Sequence, residues 1–251
     1  MKKFKFEINY SKNLEEKIFQ KLNRSGVASI KNVISLKDLN NLQNIVKNSI
    51  SKNGERYFTI LNPLNKEFNL LKEDKEFFLL SKNISEKKLS RTIRKEDFLS
   101  VLRVITGDKT KEKSYQFHFD AYILTILIPI FIPQTQSDNG HLILYPNLRK
   151  KIRYSFINFL EKIFYQNYLS RTIIKNLLKK SINKNTIKLK PGNIYFFWGY
   201  QSLHANLPID PKLLRSTLLL HFGTVHDNSF ADKFIKKFRH RMELKNAQNH
   251  N

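Results

Sequence analysis

Residues 190–204 read Lys-Pro-Gly-Asn-Ile-Tyr-Phe-Phe-Trp-Gly-Tyr-Gln-Ser-Leu-His, and the reading of this stretch decides the fold. Lys190-Pro191-Gly192-Asn193 has turn chemistry, because proline fixes one corner and glycine accepts a positive φ at another. Ile194 to Trp198 is an uninterrupted apolar and aromatic run of strand length, which reads as a buried strand. His204 stands six residues beyond Trp198. Eleven residues after His204 comes Arg215, with Thr217 on the apolar strand Ser216 to Phe222. An arginine aimed into a β core requires an anionic partner, since an unpaired buried charge is costly. Its planar fork suits a carboxylate, as does a neighbouring hydroxyl.

Upstream, His118-Phe119-Asp120 lies within Tyr115 to Tyr122, which is rich in strand-forming residues. Side chains alternate along a strand, so residues two apart share a face, here directed inward. An imidazole and a carboxylate on one face are able to grip one metal ion. A second imidazole completes a set of two His and one carboxylate, which leaves open positions on iron for a chelating cosubstrate and oxygen. By the same alternation Gln116 and Tyr122 are candidate pocket residues, together with Trp198. His221 and His226 lie near a strand end and are assigned to the core or the surface, and His141 follows a turn that brings it toward the cavity.

The texture of the rest supports a β core with helices ahead of it. Asn13 to Asn23 reads as a helix with Asn13 as N-cap, and Gly26 to Val33 as a short strand. Ser35-Leu36-Lys37-Asp38 resembles a capping box opening an amphipathic helix, with Leu36, Leu39, Leu42, Ile45 and Val46 on one face. Asn53 to Asp97 carries no clear pattern. Strands follow at Leu99 to Ile105, Leu124 to Ile132 and His141 to Tyr145, with Asp138-Asn139-Gly140 as the turn before the last. Ile187 to Leu189 continues the series. Between them Arg149 to Lys190 looks helical and holds 12 Lys/Arg against one acid, Glu161. It reads as a solvated basic face or as a contact surface for an anionic substrate, partner or lipid. The order of elements points to a β-sandwich or barrel with an N-terminal helical layer.

The 251 residues suit one domain, and 20 Phe and 10 Tyr are enough to fill its core. Zero cysteines exclude disulfide scaffolds, thiolate zinc sites and cysteine nucleophiles, and fit an intracellular protein. Met1-Lys2-Lys3-Phe4-Lys5-Phe6-Glu7 has the basic start of a signal peptide without the apolar segment, and Ala121 to Pro133 is too short to span a bilayer. The expectation is a cytoplasmic protein, with peripheral contact to a membrane's inner face open to the basic insertion. Net charge is +24. It favours anionic partners, although Lys-, Asn- and Ile-rich composition of A/T-rich coding origin gives the same figure.

At His118, Asp120, His204 and Arg215 the chain resembles the Fe(II)/2-oxoglutarate dioxygenases, and within them the phytanoyl-CoA dioxygenase-like group. The resemblance runs from Gly26 to Gly223. Gly140 to Asn147 looks like the strand that ends in a Pro-Gly-Ser-His turn in relatives, with Pro146 kept and Asn147 and Leu148 departing from it.

The resemblance implies a double-stranded β-helix (jelly-roll, cupin-like) core at 98–148 and 187–226, a layer at 1–97, the basic insertion at 149–186 and a basic tail at 227–251. It implies His118, Asp120 and His204 as catalytic iron ligands, and Arg215 and Thr217 as the seat of the distal carboxylate of 2-oxoglutarate. The activity it implies is hydroxylation with oxygen, releasing succinate and carbon dioxide. Asp120 favours that outcome, since halogenating relatives leave its position to halide.

A second arginine six positions after the cosubstrate arginine marks the nucleic-acid demethylase branch, and His221 stands there instead. The preferred substrate is therefore a small or lipid-linked, anionic metabolite. Two alternatives are a non-catalytic basic binding module for nucleic acid or a membrane surface that keeps the fold, and a cupin-type metal enzyme using no 2-oxoglutarate, against which Arg215 and Thr217 argue.

Overall fold

Alternation in four long strands sorts the core into two layers. In β4 (Tyr122–Phe131) and β9 (Arg215–Thr224), Leu124, Ile126, Ile128 and Ile130 share one apolar cluster with Leu218, Leu220 and Phe222. Leu102 and Val104 of β3 (Leu99–Ile105) join it, as do Ile194 and Phe196 of β7 (Ile194–Phe197). Their odd-numbered neighbours, Leu127, Tyr195, Phe197 and Leu219, belong to a second cluster on the opposite face. The computed structural model describes residues 6–61, 74–93, 98–107, 110, 114–135, 139–149, 173 and 176–225. Most of the expected basic insertion, the tail from 227 and His226 lie outside these residues.

The first cluster is closed by helices. These are α1 (Lys12–Ser25), α2 (Leu36–Asn53) and α3 (Lys75–Leu89), the last a helix within the segment that showed no sequence pattern. α3 packs on β4 and β9, α2 on β4, and α1 on β1 (Val27–Ile30). Phe77 of α3 meets Phe6 and Phe98 at 4.7 and 5.6 Å between ring centres, and stands 6.4 Å from Phe196. This helical layer covers one face of a six-stranded antiparallel sheet ordered β1-β7-β4-β9-β3-β2, where β2 is Phe58–Leu61. A second sheet, ordered β6-β5-β8, comprises Thr186–Ile187, Leu142–Tyr145 and Leu203–Asn206. Leu142 and Leu144 of β5 meet Leu127, Tyr195, Phe197 and Leu219 across the gap, so the second cluster lies between the sheets.

Several expectations need correction. The cap of α1 is Ser11, whose hydroxyl accepts from the Leu14 amide, and Asn13 is inside the helix. Ser35 caps α2 as expected, but Leu36 is 81% exposed and lies off the apolar face. Tyr115 to Ala121 is not a strand. It meets the second sheet through an isolated bridge, His118 to His204, and a bond from the Tyr115 amide to Asn206 O, and regular pairing begins at Tyr122.

Pro146 and Asn147, where the chain departs from its resemblance, serve α1. The Asn147 amide donates to the Leu22 carbonyl, which also accepts from the Gly26 N–H, and to the Asn23 carbonyl at the helix end. A Cβ on Gly26, the left-handed C-cap of α1, would come within 2.1 Å of the Pro146 side chain.

Candidate metal and anion site

The odd-numbered face of the six-stranded sheet and the facing side of β8 enclose a cavity with about 420 Å³ of empty space, its open mouth included. One end is built by backbone pairing. His118 and His204 exchange N–H···O bonds of 3.0 Å, which sets the two imidazoles 4.3 Å apart between ring centres. Asp120 is anchored by its own N–H, which donates to Gly199 O at 2.9 Å. Asp120 Oδ1 lies 3.7 Å from His118 Nε2, and Asp120 Oδ2 lies 3.5 Å from His204 Nε2.

Both imidazoles are oriented. His118 Nδ1 contacts Gln116 O at 2.8 Å and His204 Nδ1 contacts Ser202 O at 3.0 Å. A carbonyl only accepts, so each Nδ1 carries a proton and it is Nε2 of each ring that is turned toward Asp120. Backbone partners of this kind fix the tautomer of metal-binding histidines. Burial, with the His204 imidazole next to it, pushes His118 down to about 3 against the pull of Asp120, so the ring is neutral at physiological pH. Burial alone raises Asp120, but the imidazoles of His204, His221 and His118 outweigh it and hold the carboxyl below its usual range. The three ligand atoms lie within 4.8 Å of one another, a set able to hold one metal ion.

The other end is cationic. Arg215 is 2% exposed, its Nε donates to Gly140 O at 2.7 Å, and one terminal nitrogen reaches Thr217 Oγ1 at 3.4 Å. A Cβ on Gly140 would come within 2.5 Å of Arg215 Cδ, so the glycine makes room for this side chain. Arg103 lines the same cavity from β3, opposite Thr217. Its buried Nε has no hydrogen-bond partner among the described residues. Burial, and the Arg103 guanidinium beside it, push Arg215 down to about 9. Asp120 is the one carboxylate among the lining residues. A desolvated guanidinium, Arg215, beside the half-buried Arg103, with no acid among the described residues paired to either, is a receptor for an anion.

The cavity therefore brings together His118, Asp120, His204, Arg215 and Thr217. It does not take in the three candidate pocket residues. Trp198 continues the even-numbered face of β7 into the helical cluster, where it packs on Phe19 and donates to Asn23 Oδ1 at 3.2 Å. Gln116 lies in irregular chain to which strand alternation does not apply, and it contributes its carbonyl to His118. Tyr122 stands half-buried at the head of β4, outside the lining, with its ring stacked on His221 at 5.5 Å. His141 also stays outside the lining and accepts from the Leu189 amide at 3.3 Å.

Arg103, Thr125 and Asn206 line the cavity without having been singled out in the sequence. His221, expected in the core or at the surface, is buried and lines the cavity as well. The signal for it was parity, since Arg215, Thr217, Leu219 and His221 must share one face of β9. For Arg103 the signal was one charge inside the apolar strand Leu99 to Ile105.

The sequence matches no family model and no curated protein. Solved structures match in fold. A prolyl 4-hydroxylase from Phytophthora capsici is 13% identical, with 90% of this chain and 70% of that chain covered and a TM-score of 0.55. A Pseudomonas putida prolyl-4-hydroxylase is 10% identical over 84% of this chain and 98% of its own, with a TM-score of 0.52. The non-haem α-ketoglutarate-dependent epimerase SnoN of nogalamycin biosynthesis is 10% identical over 85% and 84%, with a TM-score of 0.54. SnoN has also been solved with Fe3+, α-ketoglutarate and nogalamycin RO. At these identities the likeness is one of fold: a jelly-roll β core with helices packed against it.

Proposed function

We propose that the chain is a non-haem Fe(II), 2-oxoglutarate-dependent oxygenase, with the described core and its flanking segments forming one catalytic domain. The observation that carries this reading is a single cavity with a two-His, one-carboxylate cluster at one end and, at the other, the buried guanidinium of Arg215 beside the half-buried Arg103. Neutral imidazoles and a carboxylate suit Fe(II) and leave coordination positions open. The arginine end suits a dicarboxylate whose other end reaches the metal. Bound iron and 2-oxoglutarate supply oxygen activation, with succinate and carbon dioxide as coproducts.

The protein's own groups do the rest. His118, Asp120 and His204 hold the metal, each His through its Nε2. Arg215 binds the distal carboxylate of 2-oxoglutarate beside the Thr217 hydroxyl, and Arg103 supplies a second positive charge. Leu127, Leu142, Phe197 and Leu219 wall the cavity with apolar surface, which strengthens these ionic contacts by excluding water. Retention of Asp120 supports hydroxylation as the outcome, within the phytanoyl-CoA dioxygenase-like group that the sequence resembles. The net charge of +24 supports an anionic, small or lipid-linked substrate.

Purified protein given Fe(II), oxygen and 2-oxoglutarate is expected to release succinate, and His118→Ala to release none. Equal release by His118→Ala, or none from wild type under any substrate mixture, would contradict the proposal.

A further inference from the structure

Each histidine of the cluster is oriented by a carbonyl, and the carboxylate has an orienting group of its own. Thr125 Oγ1 lies 2.5 Å from Asp120 Oδ2 and 3.1 Å from His221 Nδ1. A threonine hydroxyl has one proton to give. Opposite an anionic carboxylate it gives that proton to Asp120, so its contact with His221 must be one in which the imidazole donates. The order of donation is thus fixed by valence as His221 Nδ1–H to Thr125 Oγ1–H to Asp120 Oδ2. His221 Nδ1 itself stops 3.7 Å from Asp120 Oδ2, so the hydroxyl is the link between them.

The sheet builds this chain of contacts. Thr125 and His221 are direct partners in the β4–β9 ladder, and Thr125 is also opposite Phe197 of β7. Both side chains therefore hang from the centre of the six-stranded sheet rather than from a loop. The Tyr122 ring stacks on His221 and restricts its rotation. Gly199 closes the fourth side: a Cβ there would come within 2.2 Å of Thr125 Oγ1 and 2.6 Å of Asp120 Oδ2.

We propose that Thr125 and His221 are positioning residues for the carboxylate ligand. By holding Asp120 Oδ2 they turn Oδ1 toward the metal and keep the carboxylate bound through one oxygen, so that a further coordination position stays open. This rests on His118, Asp120 and His204 being the metal ligands. Groups that orient metal ligands typically contribute 10- to 100-fold to affinity.

The test is anaerobic titration of the full chain with Fe(II), and separately with Co(II) as a spectroscopic probe. It compares wild type, Thr125→Val, Thr125→Ser and His221→Phe, with thermal melting of each as a check on folding. Thr125→Val keeps the shape and removes the hydroxyl. It is expected to weaken metal binding by about tenfold or more and to change the Co(II) visible spectrum as the carboxylate turns. Thr125→Ser restores the hydroxyl and is expected to return affinity and spectrum close to wild type. His221→Phe keeps the stacked ring without the donor and is expected to give a smaller shift in the same direction.

Wild-type affinity and spectrum in both Thr125→Val and His221→Phe would overturn the proposal. So would Thr125→Ser behaving like Thr125→Val, because the methyl packing would then be what matters. Wild type that binds neither metal would instead overturn the metal site itself, and that result is visible before any variant is compared.

Discussion

A guanidinium buried as Arg215 is, with a second one beside it, destabilises a fold unless an anion joins it. For Arg215 the sign is fixed by its position near 9, below the 12.5 of the unfolded chain. Below about pH 9 the folded state carries a charge that burial disfavours, and this penalty is relieved as pH rises through 9. At neutral pH it is on the order of a few kcal/mol. Arg215→Met is therefore expected to melt no lower than wild type without ligands while losing 2-oxoglutarate binding by about 100-fold, the loss of a charge-assisted pair. A large fall in melting temperature would show that Arg215 is structural.

Gly199→Ala tests the opposite end of the cavity. Its Cβ would enter the space shared by Thr125 and Asp120, so metal binding is expected to weaken severely in a protein that still folds, as read by Fe(II) titration beside circular dichroism. His118 and Asp120 stood out in the sequence as polar groups two apart in apolar text, His204 by its place after a turn and a buried strand, and Arg215 by its distance from His204 at the head of an apolar strand. Thr125 and His221 did not, because the contact that gives them meaning spans 96 residues and only the paired strands create it.

At the scale of elements, alternation decides which face of β7 is chemistry and which is core. Tyr195 and Phe197 face the second sheet, while Phe196 and Trp198 lie under the helices. Trp198→Leu is accordingly expected to cost roughly 2–4 kcal/mol of stability as a buried large-to-small change, read by denaturant unfolding, and to leave the 2-oxoglutarate requirement of the remaining folded protein unchanged. A selective rise in that requirement would return Trp198 to the cavity.

The strands were legible because long apolar runs bounded by turns have few alternatives. The His118–Asp120 segment misled, because its alternating apolar text reads as a strand while only the His118–His204 bridge and the Tyr115 amide on Asn206 O align it with β8. α3 was hidden by its weakly segregated face: Leu79 is exposed on it while Ser81 and Ser85 are buried, their hydroxyls donating to the carbonyls of Phe77 and Ser81 one turn back.

For the whole molecule, the helical layer holds one face of the large sheet so that the other can carry a polar cavity. No helix among the described residues is long and apolar enough to cross a membrane. Because the cavity is cationic at one end and offers metal ligands at the other, its ligands are expected to stabilise the fold jointly. At a hundredfold excess over its dissociation constant, 2-oxoglutarate contributes about 2.7 kcal/mol. For a chain of this length that raises the melting temperature by roughly 5–10 °C. The gain should need a divalent metal if one molecule spans both ends, and metal-independent stabilisation of the same size would place the anion at the arginines alone.

The most direct test of the central claim is a visible-absorption titration without oxygen, adding Fe(II) and then 2-oxoglutarate. A metal-to-ligand charge-transfer band that appears on the second addition, and is lost in His204→Ala and weakened in Arg215→Met, is the predicted result. Protein that takes up neither Fe(II) nor 2-oxoglutarate would contradict the account and leave a basic binding module on a jelly-roll fold.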